Sequence, residues 1–174
     1  MDKIANFVGL PLHWHKPHLL GTEYELKSGE TLVAALRFRS ILGTFATAES
    51  ADGCWTFKRV GFWQTRVTIR PCDADEEIAT FKNNTWSSGG TLLFPDGRQY
   101  PANTNFWQTQ YEFTTQPGDA LIHYRNRGIL GSSAEVTILP NAQELPELPW
   151  MVILGWYLVL MMQHDSADTT AAAT

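Results

Sequence analysis

The sequence predicts a mainly β protein, a closed antiparallel barrel of about twelve strands wrapped around a buried hydrophobic C-terminal helix. Three observations lead there. Short runs of alternating apolar and polar residues fill the chain up to Leu145, a four-strand unit recurs along them, and Trp150 to Met162 holds only apolar, aromatic and glycine residues.

Residues 1–18, MDKIANFVGLPLHWHKPH, contain Pro11 and Pro17 and read as an irregular segment laid across the barrel. The barrel domain is expected over 19–163. Its strand candidates are LLGTEYELK, ETLVAALRFR, TFATAES, GCWTFKR, QTRVTIR, EEIATFKN, GTLLF, FWQTQYEF, DALIHYR and AEVTIL. Each alternates in period two and is rich in β-branched or aromatic residues. Turn residues separate them: Ser28-Gly29, Asp52-Gly53, Ser88-Gly89-Gly90, Asp96-Gly97 and Pro117-Gly118.

A repeat runs through this body. FWQTR at Phe62–Arg66 returns as FWQTQ at Phe106–Gln110, and units begin near Tyr24, Val67 and Tyr111. Each unit holds about four strands, a length that also suits a propeller blade. Propellers need at least about four blades, and only three units fit, so one closed barrel is the better solution. A barrel of that size lies between the small ones that side chains fill and the large ones that hold a channel, so its middle needs a plug.

The C-terminal run supplies the plug, as a helix over about 146–163. Pro146 and Pro149 suit a first helical turn, Glu144 and Glu147 sit near its positive end, and Gly155 allows one close approach to the wall. Residues 164–174, HDSADTTAAAT, read as a disordered tail. A membrane-spanning helix needs about 20 apolar residues, which this run lacks. Its flanks carry Glu144, Glu147, Asp165 and Asp168 without a nearby Lys or Arg, so the chain is expected not to be transmembrane.

A net charge of −5 disfavours nucleic acid as a partner. The N-terminal stretch has no long apolar segment of the secretory kind, which points to a cytoplasmic protein, peripheral at a membrane at most. Cys54 and Cys72 are therefore expected as two free buried thiols rather than a disulfide.

Several clusters bear on function. His13, His15 and His18 are the weak metal candidates, since His at i and i+2 share a strand face, but HExxH and CxxC partners are missing. CDADEE, residues 72–77, fails the EF-hand pattern, with Ile78 where Gly is needed, and reads as a solvated turn. Arg37 with Arg39, and Arg125 with Arg127, close equivalent strands of the repeat, each pair on one face, and are the candidates for an anionic ligand. Further basic residues recur on strands at Lys58, Arg59, Arg66 and Arg70. GxSxG and glycine-rich phosphate loops are missing, so no catalytic residue and no cofactor is expected. His123 reads as a structural residue within a strand. Trp63 and Trp107 could stack on bases, but their place in a repeated box suggests packing.

The terminal run PWMVILGWYLVLMM, the strand pair YELKSGETLVAALRF and the turns SADGCWTFKR and FPDGRQY resemble the tubby C-terminal-like superfamily, which includes phospholipid scramblases and the LURP-one-related proteins. The resemblance implies a twelve-stranded barrel around a hydrophobic C-terminal helix, and the small LURP-one-like members look closest. Tubby-like domains bind phosphoinositides through basic residues. The Cys-rich and Pro-rich segments of scramblases are missing here. The resemblance implies a non-catalytic binding or scaffold module, for an anionic lipid headgroup or a protein partner. The alternatives are a small-ligand carrier or enzyme with its site at a barrel mouth, and a membrane-tethered protein using the C-terminal helix.

Overall fold

The protein is described by a computed structural model covering residues 1–62, 65–84, 89–127 and 132–173. A short 3-10 turn, Ile4–Phe7, precedes twelve strands. These are β1 (Leu12–His15), β2 (Glu23–Ser28), β3 (Thr31–Phe38), β4 (Ala46–Ser50), β5 (Gly53–Val60), β6 (Arg66–Pro71), β7 (Ala79–Asn83), β8 (Gly89–Leu93), β9 (Gln99–Thr104), β10 (Gln110–Thr114), β11 (Ala120–Asn126) and β12 (Ser133–Ile138). A 3-10 turn, Pro140–Ala142, leads to the helix α1, Leu148–Ala172. Every strand pairs antiparallel with its sequence neighbours, and β1 closes the barrel against β12 with Leu12 opposite Val136.

The repeat takes a simple form in this ring. Units starting at Tyr24, Val67 and Tyr111 begin in β2, β6 and β10. The first two supply four consecutive strands each. The third supplies β10, β11 and β12, and the N-terminal β1 fills its missing place.

Alternation decides the burial. In β12 the pattern is strict, with Ala134, Val136 and Ile138 facing the lumen between half-buried Ser133, Glu135 and Thr137. The lumen holds α1. Trp150 to Met161 are buried on every side, so this part of the helix has no polar face. Trp14 stacks on Trp156 with centroids 6.1 Å apart, and Phe38 stacks on Tyr157 at 5.6 Å. The Tyr157 hydroxyl donates to the Thr44 carbonyl at 2.6 Å. Each large side chain buried here contributes about 1.5–3 kcal/mol, so the helix is the core of the protein.

Two expectations are corrected. Cys54 and Cys72 form a disulfide between β5 and the end of β6, with Cα atoms 5.4 Å apart, instead of two free thiols. The register sets Trp55 opposite Pro71, which brings the two cysteines side by side one position further along the ladder. The segment expected as a disordered tail is also helical as far as Ala172. Its alanines are strong helix formers, and the buried turns before it remove the nucleation barrier. No helix among the described residues is long and apolar enough to cross a membrane.

Candidate functional site at the barrel mouth

Up-and-down pairing places alternate connections at opposite ends of the ring. The turns around Gly29, Asp52, Gly97 and Gly118 lie at the end where α1 enters. The connections 16–22, 39–45 and 105–109, together with the described residues 61–62, 65, 84, 127 and 132, lie at the end where it leaves. Contacts with the emerging helix agree: the Ser166 hydroxyl donates to Gln108 Oε1 at 3.2 Å, and His164 shares a cleft with Ile41 and Leu42.

Two clefts flank the helix at this exit. The larger, about 250 Å³, has a floor of Val67, Tyr111, Leu158 and Met161 and a polar rim of Arg59, Thr65, Asn83 and Asn84. Its guanidinium is already engaged. Arg59 Nη1 and Nη2 donate to Asp165 at 2.7 and 2.9 Å, and this bidentate bond raises the arginine above its ordinary pKa against the opposing effect of burial. The smaller, about 130 Å³, lies between Tyr24, Phe38 and Leu160, with Lys16 and His164 at its edge.

On the outer wall, Arg66 and Lys82 are direct cross-strand partners on β6 and β7, both exposed, and line a groove with Glu77, Thr80, Leu93 and Phe94. Lys58, also exposed, is opposite Thr68 on β5 and hence diagonal to Arg66. Like charges opposite one another in a sheet are destabilising. None of these three forms an ion pair among the described residues. Arg70, further down β6, is neutralised by Glu77 at 3.0 Å.

The arginines singled out in sequence are distributed differently. Arg37 is held by Glu23 at 3.0 Å and by Glu49. Arg39 lies over the Phe45 ring, 5.2 Å from its centroid. Arg127 donates to Glu135 at 2.7 Å and depresses that carboxyl, to which Arg125 adds a weaker field. Strands β2, β1 and β12 separate β3 from β11, so the two arginine pairs do not converge on one ligand. His15 reaches Glu25 at 3.2 Å and His13 pairs in register with Glu135 and Lys27. No group of three metal-ligating side chains occurs among the described residues. His123 sits on β11 opposite Glu112 and Thr137.

The FWQT box is also corrected. Trp107, expected to pack, is exposed and meets the equally exposed Phe106 edge-to-face at 5.1 Å, Phe62 is exposed as well, and Trp63 lies outside the described residues. Phe62, Thr65 and Phe106 to Thr109 fall in connections at the exit end, and Arg66 and Gln110 begin β6 and β10. The Lys58–Arg66–Lys82 grouping depends on register, which no stretch of sequence displays.

The architecture defines a class, the closed twelve-stranded antiparallel barrel with a helix through its lumen. No family model matches the chain, and no curated protein sequence matches it. Among solved structures, the X-ray structure of the Arabidopsis thaliana protein AT5G01750 is similar, with a TM-score of 0.56 and 11% sequence identity, over 94% of this chain and 96% of that one. At that identity the likeness shows a shared fold.

Proposed function

We propose that the chain is a non-catalytic binding module of the tubby-like, LURP-one-like type, and that it recognises an anionic lipid headgroup beside the exit mouth. The observation that carries this reading is the unneutralised cross-strand pair Arg66–Lys82 with Lys58 diagonal to it. A sheet that sets like charges opposite one another and leaves them without carboxylate partners loses stability, and an external phosphate reverses the loss. The opposite end of the barrel is acidic, with Glu30, Asp52, Asp96 and Asp119 in its turns and Asp73, Asp75, Glu76 and Glu77 in the connection between β6 and β7. The barrel therefore carries a charge asymmetry that a net charge of −5 conceals. The matching site of action is a membrane surface, with the protein peripheral to it.

Co-sedimentation with phosphatidylcholine vesicles, with and without a phosphoinositide, tests the proposal. Retention by the phosphoinositide vesicles alone, weakened by salt and lost in Arg66→Ala/Lys82→Ala, is the expected result. Equal retention by both vesicles, or an unaffected double variant, overturns it.

A further inference from the structure

Three exit-end connections occupy equivalent places in the three repeats, before β2, β6 and β10. Each ends in threonine, at Thr22, Thr65 and Thr109, and each carries two large apolar residues just ahead of it. These are Leu19-Leu20, Phe62-Trp63 and Phe106-Trp107. The connection 39–45 adds Ile41-Leu42, and the same Ile-Leu-Gly triplet recurs in sequence at 129–131, outside the described residues. Apart from Trp63, the four pairs stand in solvent: Leu20 is 89% exposed, Leu42 91% and Trp107 78%. The tight turns at the entry end carry Gly, Asp and Glu instead. A repeat that preserves exposed bulk at one end only, in a protein that closes its lumen fully, has placed that bulk for contact with something else.

We propose that this ring of loop tips enters the interface of an anionic lipid bilayer, so that the barrel stands end-on with its exit mouth toward the lipid. The proposal deepens the headgroup reading and rests on it for the sign of the surface. Two features select a bilayer over a folded partner. The pairs Leu19-Leu20, Ile41-Leu42 and Phe106-Trp107 stand exposed on separate loops spaced around a mouth, an arrangement that suits entry into lipid loop by loop, where a protein partner needs one contiguous face. Basic residues adjoin three of the tips in sequence, with Lys16 before Leu19-Leu20, Arg39 before Ile41-Leu42 and Arg66 following the Phe62 connection, while the acidic turns lie at the opposite end and the emerging helix carries Asp165, paired with Arg59, and Asp168. Phe and Trp suit the headgroup boundary, where one edge of the ring is wet. The helix rises through the ring, and from Thr169 to Ala173 its side chains are only Thr and Ala, small enough to share the headgroup layer.

The test uses the full chain with an environment-sensitive dye on Leu42→Cys, and a control dye on Asp119→Cys at the entry end, mixed with phosphatidylcholine vesicles containing a phosphoinositide. The expected result is a blue shift at position 42 and none at 119. Ile41→Ser/Leu42→Ser and Phe106→Ser/Trp107→Ser should each weaken vesicle binding by about tenfold or more, while soluble inositol phosphate binds them as it binds the unaltered chain. Vesicle binding with no shift at 42, or with both serine variants unimpaired, overturns insertion and leaves the headgroup reading standing. Equal binding to vesicles lacking the phosphoinositide, with the blue shift retained, overturns the headgroup reading instead. A blue shift without vesicles, accompanied by a doubled mass in sedimentation, makes the ring a self-association face and overturns insertion. Binding to neither vesicle overturns both.

Discussion

The phenol of Tyr124 occupies the space that a side chain at position 155 would need, so that wall and helix touch there with nothing but Gly155 between them. The same hydroxyl donates to the Val152 carbonyl at 2.8 Å, tying β11 to α1 in the middle of the lumen. Gly155 is the one residue of the buried turns without a side chain, and the aromatic wall at Tyr124 is the reason.

Gly155→Ala sets two effects against each other. Alanine gains about 1 kcal/mol of helix propensity over glycine, and overpacking against a ring with nowhere to move costs about 1–3 kcal/mol or more. The clash is with the ring and hydroxyl, so the expected outcome of a urea melt is net destabilisation. In a Tyr124→Ala background the same change should turn neutral or stabilising. Additive effects in that double-mutant cycle would refute the contact.

Truncation separates the two halves of α1. A chain ending at Gln143 loses the plug and should lose its near-ultraviolet circular dichroism and its cooperative melt, because the lumen would be left as a large cavity. A chain ending at Gln163 retains every buried helical residue and loses the Arg59–Asp165 and Ser166–Gln108 bonds to the barrel. It should keep its tertiary signal, with a melting temperature lower by a few degrees.

Reduction of the Cys54–Cys72 bond opens a loop of sequence separation 18, for which chain entropy gives about 3 kcal/mol. The urea midpoint should fall on adding reductant, and Cys54→Ser/Cys72→Ser should match the reduced protein. Alkylation of freshly isolated protein then reports its compartment, since a reducing cytosol would keep both thiols free.

Alkali should unfold the barrel abruptly. Burial raises Tyr111, Tyr124 and Tyr157 above their ordinary value near 10, because the phenolate has no solvation in the lumen. The unfolded chain loses those protons near pH 10 and the folded one does not. Stability is therefore full below about pH 10 and falls as pH rises above it, by about 1.4 kcal/mol per unit for each phenol, or about 4 for the three. Tyrosinate absorbance from these residues should appear together with the loss of near-ultraviolet circular dichroism. Full ionisation in a protein that keeps its tertiary signal would contradict the buried placement.

The barrel was legible because two local signals agreed. Alternation marked the strands, and the continuous apolar run from Trp150 marked a segment that only a closed wall could bury. The place of Gly155 followed from the same logic, since a glycine in a fully buried helix has a packing reason. The disulfide was missed because compartment was argued from the N-terminal residues, whereas proximity was set by the β5–β6 register. The helix end was misjudged because polarity was read as disorder, although Ala-rich turns continue a helix that is already nucleated. The exposed tips were readable in principle. Leu19-Leu20 stands 43 residues before the Phe62 box, at the repeat spacing, but repetition was taken as a mark of packing. The Arg66–Lys82 pair was beyond reach, since it exists only once two strands are in register.

The plug follows all twelve strands in the chain. While a ribosome is still adding residues beyond Ile138, all twelve strands have been made, yet the lumen has nothing to close around, and β1 has been waiting for β12 across nearly the whole sequence. Folding in the order of synthesis is therefore closed to this protein. Its aromatic strands must stay open until the helix has been made, and wall and helix then assemble together, with the slow, non-local search that such a topology imposes. A nascent chain of this kind is a natural client for chaperones, and its exposure to aggregation is greatest in the moments before the helix arrives.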